Sequence, residues 1–280
     1  MPHLTEQLNS EKKNNKKAIC KTNKMDKKKI VVKVGTNVIT NKDNRILVPV
    51  LKHLVEQIAT LYEEDIMVVL VSSGSAIAGM EVLGDVSIQD ESKRRQVFSS
   101  VGQPRMMRHY YSLFHEHGMR CGQVLATKRD FSPGVHRENM INCYESLLSE
   151  GIIPIANEDD AVSVTMSMFS DNDELASLVA ELIKADALII LSDTDGLYTG
   201  HPDDEDSKKL NKVQINQDVE KYVQESEKGE GEGRGGMESK IKIAKETAAK
   251  NIPTYIANGK RRNVILDILA GKSVGTKFTA

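Results

Sequence analysis

From residue 30 onward the chain alternates two patterns. Short runs of continuous apolar, mostly β-branched residues are separated by longer stretches in which apolar positions recur every three or four residues. The short runs Ile30–Val34, Ile66–Ser72, Cys121–Ala126, Ile152–Ala156 and Ala187–Ser192 predict strands, with a weaker one at Thr254–Ala257. The longer stretches predict helices at Val48–Tyr62, Lys93–His117, Val135–Ser149, Asp173–Lys184 and Glu238–Lys250; Pro49 suits the first turn of the first of these. Strands apolar on both faces that alternate with helices belong to a parallel sheet covered on both sides. The expected fold class is therefore α/β: a three-layer α/β/α sandwich around a mainly parallel sheet, with no internal repeat.

In open sheets of this kind ligands sit beyond the C-terminal ends of the strands. Here those ends are small and polar. Gly35-Thr36-Asn37 follows Val34, and Ser72-Ser73-Gly74-Ser75 follows Val71. Asn157-Glu158-Asp159-Asp160 follows Ala156, and Ser192-Asp193-Thr194-Asp195-Gly196 follows Leu191. Four polar strand ends in succession locate the expected site.

Composition narrows the class of function. Of the 280 residues, 38 are Lys or Arg and 40 are Asp or Glu, a formal net charge of −2. A dedicated nucleic-acid binder would carry a basic excess, and with five Phe, seven Tyr and no Trp there is no stacking platform for single strands. No apolar run is long enough to span a membrane. The three cysteines, Cys20, Cys121 and Cys143, are widely spaced and form no CxxC, which suits reduced thiols and a cytoplasmic location. Residues 1–29 hold nine Lys against Glu6, Glu11 and Asp26, the composition of a solvated, disordered basic tail. No apolar stretch follows it as in a signal peptide, and the first Arg is Arg45, unlike a mitochondrial presequence. Met25 is an alternative start. Residues 30–280 form the expected globular domain.

Phosphate chemistry has several candidates and several exclusions. Gly271-Lys272-Ser273 resembles the tail of a P-loop, but Leu266 stands at its first glycine position. Gly231, Gly233 and Gly236 match GxGxxG, yet they follow the charged segment 224–230 and not a strand. The glycine-rich stretch 229–236 is either a plain flexible loop or one that wraps phosphates before the helix at Glu238. Lys33 sits within an apolar strand, where an unpaired ammonium is costly, and Lys240 lies at a helix start. Each alone reads as a snorkelling side chain; together with the polar strand ends they suit a polyphosphate. Ser72–Ser75 forms a turn into a helix N-terminus that can receive an anion. A serine nucleophile there lacks both the GxSxG elbow and a placed histidine. His115 and His117 lack HExxH spacing and read as surface residues, so no metal site is expected. Asp171-Asn172-Asp173-Glu174 is either a helix cap with its acidic first turn or the holder of the two ammonium groups. The acidic run 203–206 reads as a solvated loop.

These residues, taken together, resemble the glutamate 5-kinases of the amino acid kinase superfamily. The blocks are Val-Val-Lys-Val-Gly-Thr at 31–36, Ser-Ser-Gly at 72–74 and Val-Gly-Gln at 101–103. They continue with Asn157–Val162, Asp171-Asn172-Asp173, Ser192-Asp193 with Gly196–Thr199, and Gly235-Gly236-Met237 with Lys240. The resemblance runs from about residue 29 to 278. It implies an amino acid kinase-like fold whose N-terminal lobe binds glutamate and whose C-terminal lobe binds ATP with Mg²⁺. The implied reaction makes L-glutamyl 5-phosphate, the first step of proline biosynthesis.

Residue by residue, the resemblance implies nucleotide binding by Lys33, Ser192, Asp193 and the stretch Arg234, Gly235, Gly236, Met237, Glu238, Ser239 and Lys240. It implies glutamate binding by Ser73, Asp160 and Asn172. Lys33 and Lys240 would stabilise the transferring phosphoryl group, with Asp173 orienting them. Ser75, Ser170 and Arg234 depart from the family pattern. Because the chain ends at Ala280, the C-terminal PUA domain of longer relatives is expected to be missing. Proline as a feedback inhibitor, a homo-oligomeric assembly and a partner glutamyl-phosphate reductase are also implied. The alternatives are a kinase of N-acetylglutamate or carbamate, a non-catalytic nucleotide or proline sensor, and a nucleic-acid binder acting through the basic tail. A glutamate side chain, with a reference pKa of about 4.3, is already ionised at neutral pH, so the reaction needs no general base.

Overall fold

The computed structural model describes residues 27–162, 169, 171–200, 206–219, 222 and 236–280. The basic tail up to residue 26, Ser170, and the glycine loop through Gly235 lie outside the described residues, as does most of the acidic run at 203–206.

The chain forms β1 (Lys29–Val34), a single turn α1 (Thr36–Ile39), α2 (Val48–Glu63), β2 (Met67–Ser72), α3 (Ser75–Leu83) and α4 (Glu91–Glu116). After β3 (Arg120–Ala126) and a short 3₁₀ turn come α5 (Val135–Ser149), β4 (Ile152–Glu158), α6 (Asn172–Leu182) and β5 (Ala187–Ser192). The last part holds β6 (Leu197–Tyr198), β7 (Lys209–Leu210), β8 (Lys212–Gln214), α7 (Met237–Ala249), β9 (Thr254–Asn258), α8 (Val264–Leu269) and β10 (Thr276–Thr279).

One eight-stranded sheet runs β3-β4-β2-β1-β5-β9-β10-β8, and β6 and β7 form a separate small ribbon. Every pairing in the large sheet is parallel except β9 with β10. Alternation along each strand sends side chains to opposite faces. Ile30, Val32 and Val34 join the core under α2, α4 and α8. Val31, Val69, Val71, Leu188 and Ile190 join the core under α5, α6 and α7. The three-layer expectation holds.

All six expected strands and five expected helices form, with ends shifted by two residues or fewer. Helix α4 begins at Glu91 because the Asp90 carboxylate accepts from the Lys93 amide at 2.9 Å and caps it earlier than the apolar pattern shows. Helix α3 forms where the Ser72–Ser75 turn leads into an expected helix N-terminus; helices α1 and α8 and the short strands β6, β7, β8 and β10 are additions. Their runs are too short or too small-sided to carry a periodic signal.

Candidate functional site

Lys33 lies one residue from the end of β1, paired with Val71 of β2 and Ile190 of β5. Its position on the strand sends it to the α6 face, and there it meets Asp173. Lys33 Nζ is 2.6 Å from Asp173 Oδ1, and Lys240 Nζ, from the first turn of α7, is 3.3 Å from Oδ2. The three are almost sealed from solvent, with Asp173 0 %, Lys33 3 % and Lys240 8 % exposed. Burial by itself would push the Asp173 carboxyl up. The ammonium groups of Lys33 and then Lys240 outweigh that and hold it below its ordinary value. The two lysines, remote in sequence, therefore converge on one carboxylate.

The acidic segment before α6 divides its work. Asp171 is the helix cap, accepting from the amides of Asp173 at 2.9 Å and Glu174 at 3.0 Å. It also accepts the Ser239 hydroxyl at 2.5 Å, which ties the start of α6 to the start of α7. Asp173, two residues on, is the holder of the ammonium groups. The segment thus holds a capping carboxylate at Asp171 and an ion-paired one at Asp173.

Beside this cluster lies a polar network. Asn172 Nδ2 donates to Ser73 Oγ and to Asn157 Oδ1, both at 2.9 Å. Its own Oδ1 is buried with no hydrogen-bond partner among the described residues. Asn157 Nδ2 donates to Gln103 Oε1 at 2.9 Å and to Ser75 Oγ at 3.4 Å. Ser75 donates in turn to Asp160 Oδ2 at 3.3 Å. On the far side of Asp160, Arg95 Nε bonds Oδ1 at 2.9 Å. A cleft of about 260 Å³ opens here, lined by Ser99, Gln103, Gln123, Glu158 and Asp160 among others.

Three glycines let this half assemble. Helices α3 and α4 approach so closely that a Cβ on Gly102 would lie 1.7 Å from the Ser75 carbonyl oxygen, and one on Gly79 would lie 1.9 Å from that of Phe98. Gly74, at φ 99°, turns the chain from β2 into α3 in a conformation that favours glycine.

On the other side of β1, Ser192 ends β5 and its hydroxyl donates to Asp193 Oδ1 at 3.1 Å. Asn37 Nδ2 donates to Asp193 Oδ2 at 3.3 Å. Gly236, Met237, Glu238 and Ser239 open α7 beside Lys240. Arg234 and Gly235 lie outside the described residues. Among the described residues, no three His, Cys, Asp or Glu side chains converge as a metal cage. No helix among them is long and apolar enough to cross a membrane.

Sequence reasoning missed Arg95, Asn157 and Gln103 as site residues. Gln103 and Asn157 stand in the family-like blocks, so a signal was present. Arg95 sits in the charged run Lys93-Arg94-Arg95, which looks like any solvated helix face.

Comparison with known proteins bears on the family and the fold. A family model described as the amino acid kinase family matches residues 28–258. A glutamate 5-kinase of Bacteroides thetaiotaomicron is 42 % identical over 241 residues, covering 86 % of this chain and 66 % of its own length. One of Alkaliphilus oremlandii is 37 % identical over 254 residues, covering 90 % of this chain and 95 % of its own. The chain thus spans about two thirds of the first relative and nearly all of the second. Among solved structures, an isopentenyl phosphate kinase of T. acidophilum superposes with a TM-score of 0.63 at 18 % identity, covering 89 % of this chain and 99 % of that one. A UMP kinase of Bacillus anthracis superposes at 0.61 and 16 % identity, covering 90 % and 96 %. These two are alike in fold. By the family match and by its identity with relatives of its own length, the chain belongs to the amino acid kinase family, in its glutamate 5-kinase branch.

Proposed function

We propose that the protein transfers the γ-phosphoryl group of ATP to the side-chain carboxylate of L-glutamate, releasing ADP and L-glutamyl 5-phosphate. The observation that carries this reading is the buried Lys33–Asp173–Lys240 cluster at the strand ends. The obstacle in this reaction is electrostatic, because an anion must approach a polyanion. In this reading the two ammonium groups offset that repulsion and the charge spread over the transferring group, and Asp173 keeps them in place. No side chain need remove a proton, since the attacking carboxylate is already ionised.

The glutamate half is assigned to Ser73, Asn172 and Asp160, near the ends of β2 and β4. Asn172 Oδ1, buried and without a partner among the described residues, calls for a donor such as the substrate ammonium. Asp160 supplies a counter-charge to the same group. The nucleotide half is assigned to Ser192, Asp193 and the residues from Gly236 to Lys240, with Arg234 and Gly235 of the preceding loop. Mg²⁺ fits as part of the nucleotide complex, held mainly by phosphate oxygens and water. The described residues build no cage for it, so the chain's own part is the pair of lysines.

This reaction would open proline biosynthesis. A cytoplasmic location, feedback inhibition by proline, assembly into homo-oligomers and a reductase consuming the labile product belong to the same proposal. The rival substrates are separable by charge. N-acetylglutamate has no α-ammonium and carbamate has no carbon chain, so neither uses the Asp160 half. A sensor without catalysis would not need two lysines sealed around one carboxylate.

The test is an ATP- and Mg²⁺-dependent assay in which hydroxylamine traps the acyl phosphate, run with glutamate, N-acetylglutamate and carbamate. Hydroxamate from glutamate alone is the expected result. Its absence with glutamate, or its appearance with another acid instead, overturns the assignment.

A further inference from the structure

We infer that Arg95 is a specificity-determining residue that receives the α-carboxylate of the substrate, so that Arg95 and Asp160 together read an amino acid's zwitterionic head group. The inference rests on the kinase reading above and goes on to name the group that recognises the acceptor.

The geometry is that of a receptor for paired opposite charges. Arg95 reaches from the second turn of α4 to the end of β4, where Nε and Nη2 both lie 2.9 Å from Asp160 Oδ1. Nη2 is also 3.8 Å from Glu158 Oε2. Asp160 is 8 % exposed, and among the described residues its other oxygen accepts only from the Ser75 hydroxyl at 3.3 Å. One carboxylate oxygen thus holds Arg95 while the other remains open to a stronger donor than a hydroxyl. The Arg95 side chain is 36 % exposed, and Nη1 has no partner among the described residues. A guanidinium carries five donors in a fixed fork that matches a carboxylate. An α-amino acid brings an ammonium and a carboxylate on one carbon. Set against this ion pair, its ammonium meets the open oxygen of Asp160 and its carboxylate meets the outer edge of Arg95. Net charge at the site is unchanged by the exchange, so the head group is held without burying an uncompensated charge.

A merely structural Arg95, one that only steadies Asp160, predicts different chemistry, and so does an Arg95 that blocks Asp160 until displaced. Three acids separate the cases. Glutamate carries both head-group charges, 4-aminobutyrate lacks the α-carboxylate, and glutarate lacks the ammonium. The experiment compares wild type, Arg95→Gln and Arg95→Lys in the hydroxylamine-trapping assay with each acid, and checks the KM for ATP and the thermal midpoint of each variant.

The expected result is a rise in glutamate KM for Arg95→Gln of roughly 10- to 100-fold, the range for losing a charged hydrogen bond. The kcat/KM for 4-aminobutyrate should hardly move, so the preference for glutamate over it collapses. Arg95→Lys should restore part of that preference. An equal loss on all three acids makes Arg95 structural and overturns the inference, and so does a lower glutamate KM in Arg95→Gln. If wild type yields no hydroxamate from glutamate, the kinase reading itself falls and this inference with it. Activity in wild type with unchanged selectivity in the variant sinks the role of Arg95 alone.

Discussion

Replacing Asp173 with Asn keeps the side chain's shape and removes the charge between two buried ammonium groups. At the observed 2.6 Å and 3.3 Å, and an effective dielectric of about 20, the attractions are about 6 and about 5 kcal/mol before desolvation. Much of that offsets the cost of burying three charges, so the net loss is smaller. Removing one partner from a buried ion pair costs about 3–5 kcal/mol. For a chain of this size that corresponds to a fall of about 6–10 °C in the thermal midpoint. Turnover should fall further than stability suggests, because both ammonium groups lose the carboxylate that aims them.

Two comparisons isolate the charge. The first is pH. Asp173 is held below its ordinary value of 3.8 in the folded chain. Between those two values the unfolded chain takes up a proton that the native one does not, so the stabilisation is complete above 3.8 and lost as pH falls toward the lowered value. The gap in thermal midpoint between wild type and Asp173→Asn should therefore narrow on acidification through that window. The second is the double variant Lys33→Met with Asp173→Asn. It should melt above Asp173→Asn alone, since it no longer buries that unmatched cation, yet produce no more hydroxamate. Scanning calorimetry and the trapping assay read both. A single variant that melts within about 1 °C of wild type and keeps its turnover would refute the reasoning.

The remaining predictions use the same assays. Lys33→Ala and Lys240→Ala should each lower kcat about 10²- to 10³-fold, by analogy with removal of one oxyanion donor, and leave the glutamate KM close to wild type; unchanged kcat in both counts against the cluster. Asp160→Ala should raise the glutamate KM strongly while the ATP KM holds, and an equal shift in both would remove its proposed role. Gly102→Ala places a methyl 1.7 Å from the Ser75 carbonyl oxygen, so α3 and α4 must separate. A loss of about 1–3 kcal/mol, typical of overpacking, should then accompany a higher glutamate KM through displacement of Ser75. A fully stable Gly102→Ala would show that the helices slide apart at no cost.

What could be read from sequence follows from what each element is made of. The six main strands are continuous apolar runs and the five long helices carry a sustained period, so both were visible locally. Strand β10 was not, because Thr276-Lys277-Phe278-Thr279 alternates and is only four residues long; it pairs antiparallel with β9 through contacts that no local pattern encodes. Helix α3 is legible only at its N-terminus, where the Ser72–Ser75 turn leads in, since Ser75-Ala76-Ile77-Ala78-Gly79 is too small-sided to show an amphipathic stripe; its face is defined by how closely Gly79 and Gly102 let α4 approach. At the site, Lys33 stood out because a lysine in an apolar strand needs a counter-charge, and Asp173 supplies it. Arg95 did not, because its partner Asp160 lies 65 residues away and its own neighbours are all polar. Sequence shows a buried charge through the apolar residues around it, but a half-exposed one only through its partner.

The sheet order explains why one site needs residues from so many parts of the chain. From β1 the chain goes to β2 on one side, and later to β5 on the other. The end of β1 is therefore the switch point where connections leave in opposite directions and a crevice opens. Lys33 stands at that point. The turn after β2 and the end of β4 bring Ser73, Asn157 and Asp160 to one flank. The end of β5 and the start of α7 bring Ser192, Asp193 and Lys240 to the other. Helix α6 enters between the flanks, with Asn172 facing the first and Asp173 the second. Two adjacent residues on one rigid helix thus touch both halves: Asn172 bonds Ser73 and Asn157, and Asp173 holds both lysines. In the proposed reaction this fixes the distance between acceptor and phosphoryl donor through the backbone of one helical turn, whose first amides are themselves held by Asp171.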